Sequence, residues 1–308
     1  MRPVPGTCIF TRADLRDCGW SDAAVSRAIR SGRLLRHRRG LLSLPGRPGP
    51  QPATAAAVRA CSGGVASHRS ALLIHGLPVV GAPPPLPELT VAPRGVGGLH
   101  RAALYRASLP ARDVTVVDDI PVTSIARTLV DVARHRPVTA AVAAIDAALH
   151  GRLVTMGELD DVMLRCWNWP RIRRAQRALR LVDARSESPL ESVSRLVLSW
   201  LRLPTPDLQP VVLDESGRAV GRLDFYWDEF GVLGEADGRS KYDARAVLTA
   251  EKERQEALED LGLIAVRWGW EYATRRPQAL KRRVENGFRR GILRDRSGFR
   301  RLWSVQAS

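Results

Sequence analysis

Residues 221–242, GRLDFYWDEFGVLGEADGRSKY, decide how the rest of the chain is read. Two runs of strand-forming residues, 222–227 and 232–237, flank Asp228-Glu229-Phe230-Gly231, a short connection suited to closing a β-hairpin. Pairing Trp227 with Val232 across that loop sets Asp224 directly opposite Glu235. Asp237, two residues further on, shares the face of Glu235 because strand side chains alternate with period two. Like charges opposed at roughly 4.5–5.5 Å between Cβ atoms destabilise a strand pair, so three acids converging on one spot predict a cation between them. Oxygen-only ligands favour Mg²⁺ or Mn²⁺, and the expected metal set is Asp224, Glu235 and Asp237.

The flanking sequence predicts a mixed sheet covered by helices. Ser188-Pro189-Leu190-Glu191 opens a helix, with Ser as N-cap, Pro in the first turn and Glu at the third position. A strand is expected over 209–213, a charge-rich helix over 244–261, a buried strand over 263–268 and a basic helix over 277–288.

The order Glu191 on a helix, Asp224 on a strand, Glu235-Ala236-Asp237-Gly238 and then Lys241 resembles the PD-(D/E)XK nucleases, in particular the branch similar to very-short-patch-repair endonucleases. The later Glu251-Lys252-x-Arg254 and Val266-Arg267-Trp268 also fit, so the resemblance covers residues 185–290. It implies a restriction-endonuclease-like mixed sheet and Mg²⁺- or Mn²⁺-dependent hydrolysis of DNA phosphodiesters. Glu191, Asp224, Glu235, Asp237 and Lys241 would hold the catalytic positions, with Arg254 and Arg267 on flanking phosphates. Two positions depart from that pattern: no proline precedes Asp224, and Asp237 stands where a lysine is expected, leaving Lys241 as its substitute. A fold that keeps this shape without turnover is the alternative.

Charge points the same way. A formal net charge of +16 and a pI near 11.1 call for a polyanionic partner, because each neutralised phosphate releases condensed counterions. Only Lys241, Lys252 and Lys281 are lysines, a bias that GC-rich coding also produces, but such bias does not itself create excess charge. Cys8, Cys18, Cys61 and Cys166 are widely spaced with no C-x-x-C pair, which argues against a zinc finger and for reduced thiols. With no signal-like segment and no long apolar run, the expected location is the cytoplasm.

The first 50 residues concentrate ten arginines against three aspartates. Thr11-Arg12-Ala13-Asp14 reads as a helix start, Ser21 caps a second helix ended by Gly32, and GRLLRHRRGLLSL supplies two short strands around Arg38-Arg39-Gly40. Helix, helix and basic hairpin make a winged helix-turn-helix, with Arg27 and Arg30 expected in the major groove and Arg36, Arg38 and Arg39 on the backbone. Phe10 to Leu15, Gly32-Arg33-Leu34 and Arg39-Gly40-Leu41 resemble the N-terminal domain of AbiEi-type antitoxins of type IV toxin–antitoxin systems. That resemblance implies a transcriptional autoregulator with a cognate toxin encoded nearby.

Between these ends, PGRPGPQP breaks the chain and a middle region of mixed helices and strands follows. Its run Thr123-Ser124-Ile125-Ala126-Arg127-Thr128-Leu129-Val130-Asp131 is similar to the same antitoxin group, and Ser124 is the expected helix cap. His68 and His75, on one predicted helix, read as structural rather than as metal ligands. The expected organisation is α/β (α+β) with three parts: a winged helix at 1–50, a mixed α/β region at 51–184 and a nuclease-like domain at 185–308.

Overall fold

The computed structural model describes residues 10–38, 41–45, 51–94, 101–214, 216–237, 245–294 and 300–302. The chain forms two compact units, Met1–Leu179 and Arg180–Ser308. Both mix helices with sheets, as expected for an α+β protein.

The first unit begins with β1 (Phe10–Thr11), α1 (Arg12–Asp17), α2 (Asp22–Arg30), β2 (Leu35–Arg38) and β3 (Leu41–Ser43). Thr11 and Asp14 form the capping box read from the sequence, with Thr11 N–H donating to Asp14 Oδ2 at 2.7 Å. Ser21 caps α2 by accepting from Ala24 N–H, and Gly32 follows the helix at φ +70°, a conformation glycine adopts without a Cβ clash. The strands form one antiparallel sheet in the order β1-β3-β2. Phe10, Leu15, Val25, Ala28, Leu34 and Leu42 close a small core beneath it, with Ile29 only half-buried. This is a winged-helix arrangement.

The same unit continues with α3 (Gln51–Ala60), β4 (Val65–Ala66), α4 (His68–Ile74), β5 (Glu88–Val91), β6 (Ala103–Arg106), β7 (Val114–Val117) and β8 (Ile120–Thr123). Helices α5 (Ile125–His135), α6 (Val138–His150), α7 (Met156–Arg165) and α8 (Ile172–Leu179) complete it. A five-stranded mixed sheet of order β6-β5-β4-β8-β7 packs its apolar residues against α3 and α4. The hairpin β7–β8 was not expected from the sequence, because Asp118 and Asp119 build its turn in the left-handed region at φ 50° and 60° without a glycine. Ser124 caps α5 as expected, accepting from Arg127 N–H at 3.4 Å.

The second unit holds α9 (Pro189–Trp200), β9 (Asp207–Leu208), β10 (Val211–Leu213), β11 (Ala219–Arg222), β12 (Phe225–Trp227) and β13 (Val232–Ala236). After these come α10 (Arg245–Asp260), β14 (Ile264–Trp268), α11 (Trp270–Thr274), α12 (Pro277–Gly291) and β15 (Arg300–Leu302). Its central sheet has the order β14-β13-β12-β9, with β13 and β14 parallel and the other neighbours antiparallel. Trp227 pairs with Val232 in the expected register. The turn between them is a single 3₁₀ turn, Asp228–Phe230, closed by Gly231 at φ +60°. The expected strand over 222–227 is instead two strands interrupted at Leu223 and Asp224, because Ala219–Arg222 pairs with β10 in a second sheet.

Candidate functional site

Three groups of residues carry chemistry. The first lies on α2, where Arg27 and Arg30 are exposed on the face opposite buried Val25 and Ala28. Arg12, by contrast, is tied to the module, its guanidinium reaching Asp22 Oδ1 at 3.1 Å and Ser26 Oγ at 3.3 Å. Arg36 is exposed on β2 and Arg38 ends that strand; Arg39 lies outside the described residues, as does Lys241. The outward helix face and the strand therefore present a basic surface of the kind expected to meet phosphate and base edges.

The second group surrounds the hairpin of the second unit. Glu191, in the first turn of α9, is buried, and its Oε2 accepts from Glu187 N–H at 2.9 Å and from Gln209 Nε2 at 2.8 Å. Ser188 caps that helix through Glu191 N–H at 3.2 Å, so Glu191 has the structural role the sequence allowed. Asp224 sits one residue before the paired part of β12, and its Oδ2 accepts from Ala236 N–H at 2.8 Å. Burial, then the neighbouring Glu191 charge, pushes its carboxyl up to about 7, with Glu235 adding to the rise and the Ala236 N–H opposing it. Glu191, Asp224 and Glu235 thus share one electrostatic neighbourhood.

Glu235 does not face an open cation site. Arg254 Nη2 donates to its Oε1 at 2.6 Å and Arg267 Nε to its Oε2 at 2.5 Å, so the two arginines expected on phosphates neutralise this carboxylate instead. Asp237 is exposed, and its backbone N–H donates to the Trp268 carbonyl at 2.8 Å, extending the β13–β14 ladder. Among the described residues no three His, Cys, Asp or Glu side chains are grouped as metal ligands would be. Of the expected metal set, Asp224 binds the Ala236 N–H, Glu235 binds two guanidinium groups and Asp237 is exposed. The ion pairs of Glu235 with Arg254 and Arg267 lie far apart in sequence and were not read from it.

The third group was missed as a unit. Arg127, only 1% exposed, donates through Nε to Asp131 Oδ2 at 2.7 Å and through Nη1 to Asp113 Oδ2 at 2.8 Å. Arg134 Nη1 reaches Asp131 Oδ1 at 2.7 Å, and Arg165 Nη2 reaches Asp113 Oδ1 at 2.5 Å. Arg127 and Arg134 also stack on the Trp169 ring, 4.4 and 4.8 Å from its centroid. Close by, Glu88 binds Arg69 and Arg136, and His68 stacks on Tyr105 at 3.5 Å with His135 edge-on to both. The signal was present in Arg127-x-x-x-Asp131-x-x-Arg134, whose spacing of four and three brings alternating charges to one helix face. What could not be read was that this face is buried. His75, the residue after α4, stands apart, its Nε2 against the Thr123 carbonyl at 2.8 Å.

The first unit joins a basic winged helix to a mixed α/β domain. Residues 9–45 match the family model described as "Transcriptional regulator, AbiEi antitoxin", and residues 60–184 match "AbiEi antitoxin C-terminal domain". The chain is thus AbiEi-like over these two segments. The proteins MT2308 and Rv2248 from two strains of Mycobacterium tuberculosis, both described as uncharacterized, are each 30% identical over 162 residues, 53% of this chain. The match spans 59% of the length of those relatives. The crystal structure of the RV2827C protein from Mycobacterium tuberculosis aligns with a TM-score of 0.39 at 17% identity, covering 58% of this chain and 72% of the other. Among the described residues no helix is long and apolar enough to cross a membrane.

Proposed function

We propose that this chain is a DNA-binding transcriptional regulator of the AbiEi antitoxin type, which represses the promoter of its own operon and neutralises a toxin encoded beside it. The observation that carries the reading is the exposed pair Arg27 and Arg30 on the second helix of a winged-helix module whose residues match the regulator family model. In such a module the second helix enters the major groove, arginine reads guanine edges, and the hairpin approaches phosphate. Promoter DNA from upstream of the gene, mixed with purified protein, tests it. Retarded migration that survives unrelated competitor DNA supports the reading, and equal competition by unrelated DNA removes it. The toxin half is tested by co-expression with the adjacent gene: rescue of growth is expected.

A second reading, DNA cleavage by the second unit, is favoured by the raised Asp224 carboxyl and by element order: a helix bearing Glu191, antiparallel strands, a helix and a parallel strand. Against it, Asp224 and Glu235 could hold Mg²⁺ or Mn²⁺ only if Glu235 released both arginines. We therefore read the second unit as nuclease-shaped and catalytically silent. Incubation of supercoiled plasmid with the protein and millimolar Mg²⁺ or Mn²⁺ should leave the plasmid intact. Nicking that disappears in Asp224→Ala would restore the enzyme reading.

A further inference from the structure

The buried polar cluster of the first unit borders a cavity of about 530 Å³ that DNA binding by α2 does not use. Its size falls in the range of about 300–1,000 Å³ typical of small-molecule sites. Tyr105, with His68 stacked on it and His135 at their edge, makes an aromatic part of the lining, to which Trp169 also contributes. His68 is held there by a left-handed backbone conformation, φ 52°, which a side chain of its kind rarely adopts. The lining is also cationic: Arg106, Arg127 and Arg134 border the cavity together with Asp131, the one carboxylate among its described lining residues.

We propose that this cavity binds a small organic anion, a planar ring carrying a carboxylate or phosphate, with the ring at the Tyr105–His68 wall and the anionic group toward the arginines.

Three further observations support that chemistry. Among the described residues, five arginines, Arg69, Arg127, Arg134, Arg136 and Arg165, pair with four carboxylates, Glu88, Asp113, Asp131 and Asp161, so cations outnumber acids in this network. The His68 imidazole reports the same field, because burial and then the charges of His135, Arg134, Arg136 and Arg127 hold it well below its ordinary value. It is therefore a neutral stacking surface. Finally, Thr90 lines the cavity, is 1% exposed, and its hydroxyl has no hydrogen-bond partner among the described residues, a costly arrangement that a ligand acceptor would relieve. A metal suits the site less well: His68 and His135 engage each other at 3.3 Å and are surrounded by arginines.

Isothermal titration calorimetry of the full chain with phenyl phosphate, benzoate, inorganic phosphate and phenol tests the proposal without reference to DNA. Phenyl phosphate or benzoate should bind with a Kd of about 1 mM or tighter, and whichever is the tighter identifies the anionic group. Inorganic phosphate and phenol should bind at least about tenfold more weakly, because each lacks one half of the recognition. Arg106 is exposed, so Arg106→Gln spares the core and should weaken binding about tenfold. Thr90→Val, nearly isosteric, should weaken it several-fold with unchanged circular dichroism. The proposal is overturned if neither ring-bearing anion binds, if phenol matches phenyl phosphate, or if binding is indifferent to Arg106→Gln. Promoter binding, measured on the same preparations, reports separately on the regulator reading.

Discussion

Replacing Arg127 with leucine should destabilise the first unit by about 3–4 kcal/mol. Leucine fills part of the space but leaves Asp113 and Asp131, each 2% exposed, with one arginine apiece: Arg165 for the first and Arg134 for the second. Removing one partner of a buried ion pair costs about 3–5 kcal/mol, because the other charge stays buried with its compensation reduced. The remaining arginines hold the loss near the lower end, to which the lost stacking on Trp169 adds about 0.5–1 kcal/mol. For a unit of this size, about 1 kcal/mol moves the midpoint by roughly 2–4 °C, so a fall of about 6–16 °C is expected. Hydrogen exchange followed by mass spectrometry localises the effect, with amides of 120–179 losing protection. A cost under about 1 kcal/mol would refute the reasoning, for it would mean that water or backbone already satisfies both carboxylates.

Other consequences follow from the second unit. Asp224 has a folded-state pKa near 7 against 3.8, so its protonated form favours folding: that contribution is complete below about pH 4 and is lost as pH rises through 7. Asp224→Asn should therefore match the parent near pH 4 and exceed it by roughly 2–4 kcal/mol at pH 8, measured by urea unfolding. A variant less stable than the parent at pH 8 would contradict the assignment. Gly234→Ala would place a Cβ 2.5 Å from the Trp268 ring and 3.1 Å from Trp227, both buried, and should cost about 1–3 kcal/mol in the same assay. Ser188→Ala removes the cap of α9 and should cost about 1 kcal/mol, with no effect on promoter binding.

What the sequence made legible was local. The capping box at Thr11, the caps at Ser21, Ser124 and Ser188, and the Trp227–Val232 register all depend on neighbours within a few residues and were read correctly. The cation at the carboxylates was inferred from strand pairing alone. The charge beside Glu235 in the structure comes from Arg254 and Arg267, on a helix and a strand whose placement depends on how the sheet closes. The buried arginine network escaped for the converse reason: Arg127, Asp131 and Arg134 are closed over by Asp113, Arg165 and Trp169, which lie distant in sequence.

The central claim is that the basic winged helix reads a particular DNA sequence. Fluorescence anisotropy at physiological salt, comparing duplex from immediately upstream of the gene with unrelated duplex of equal length, tests it most directly. The account predicts tighter binding to the upstream duplex, with that preference reduced about tenfold or more in Arg27→Ala and Arg30→Ala. Equal affinity for both duplexes, unchanged by either substitution, would contradict it.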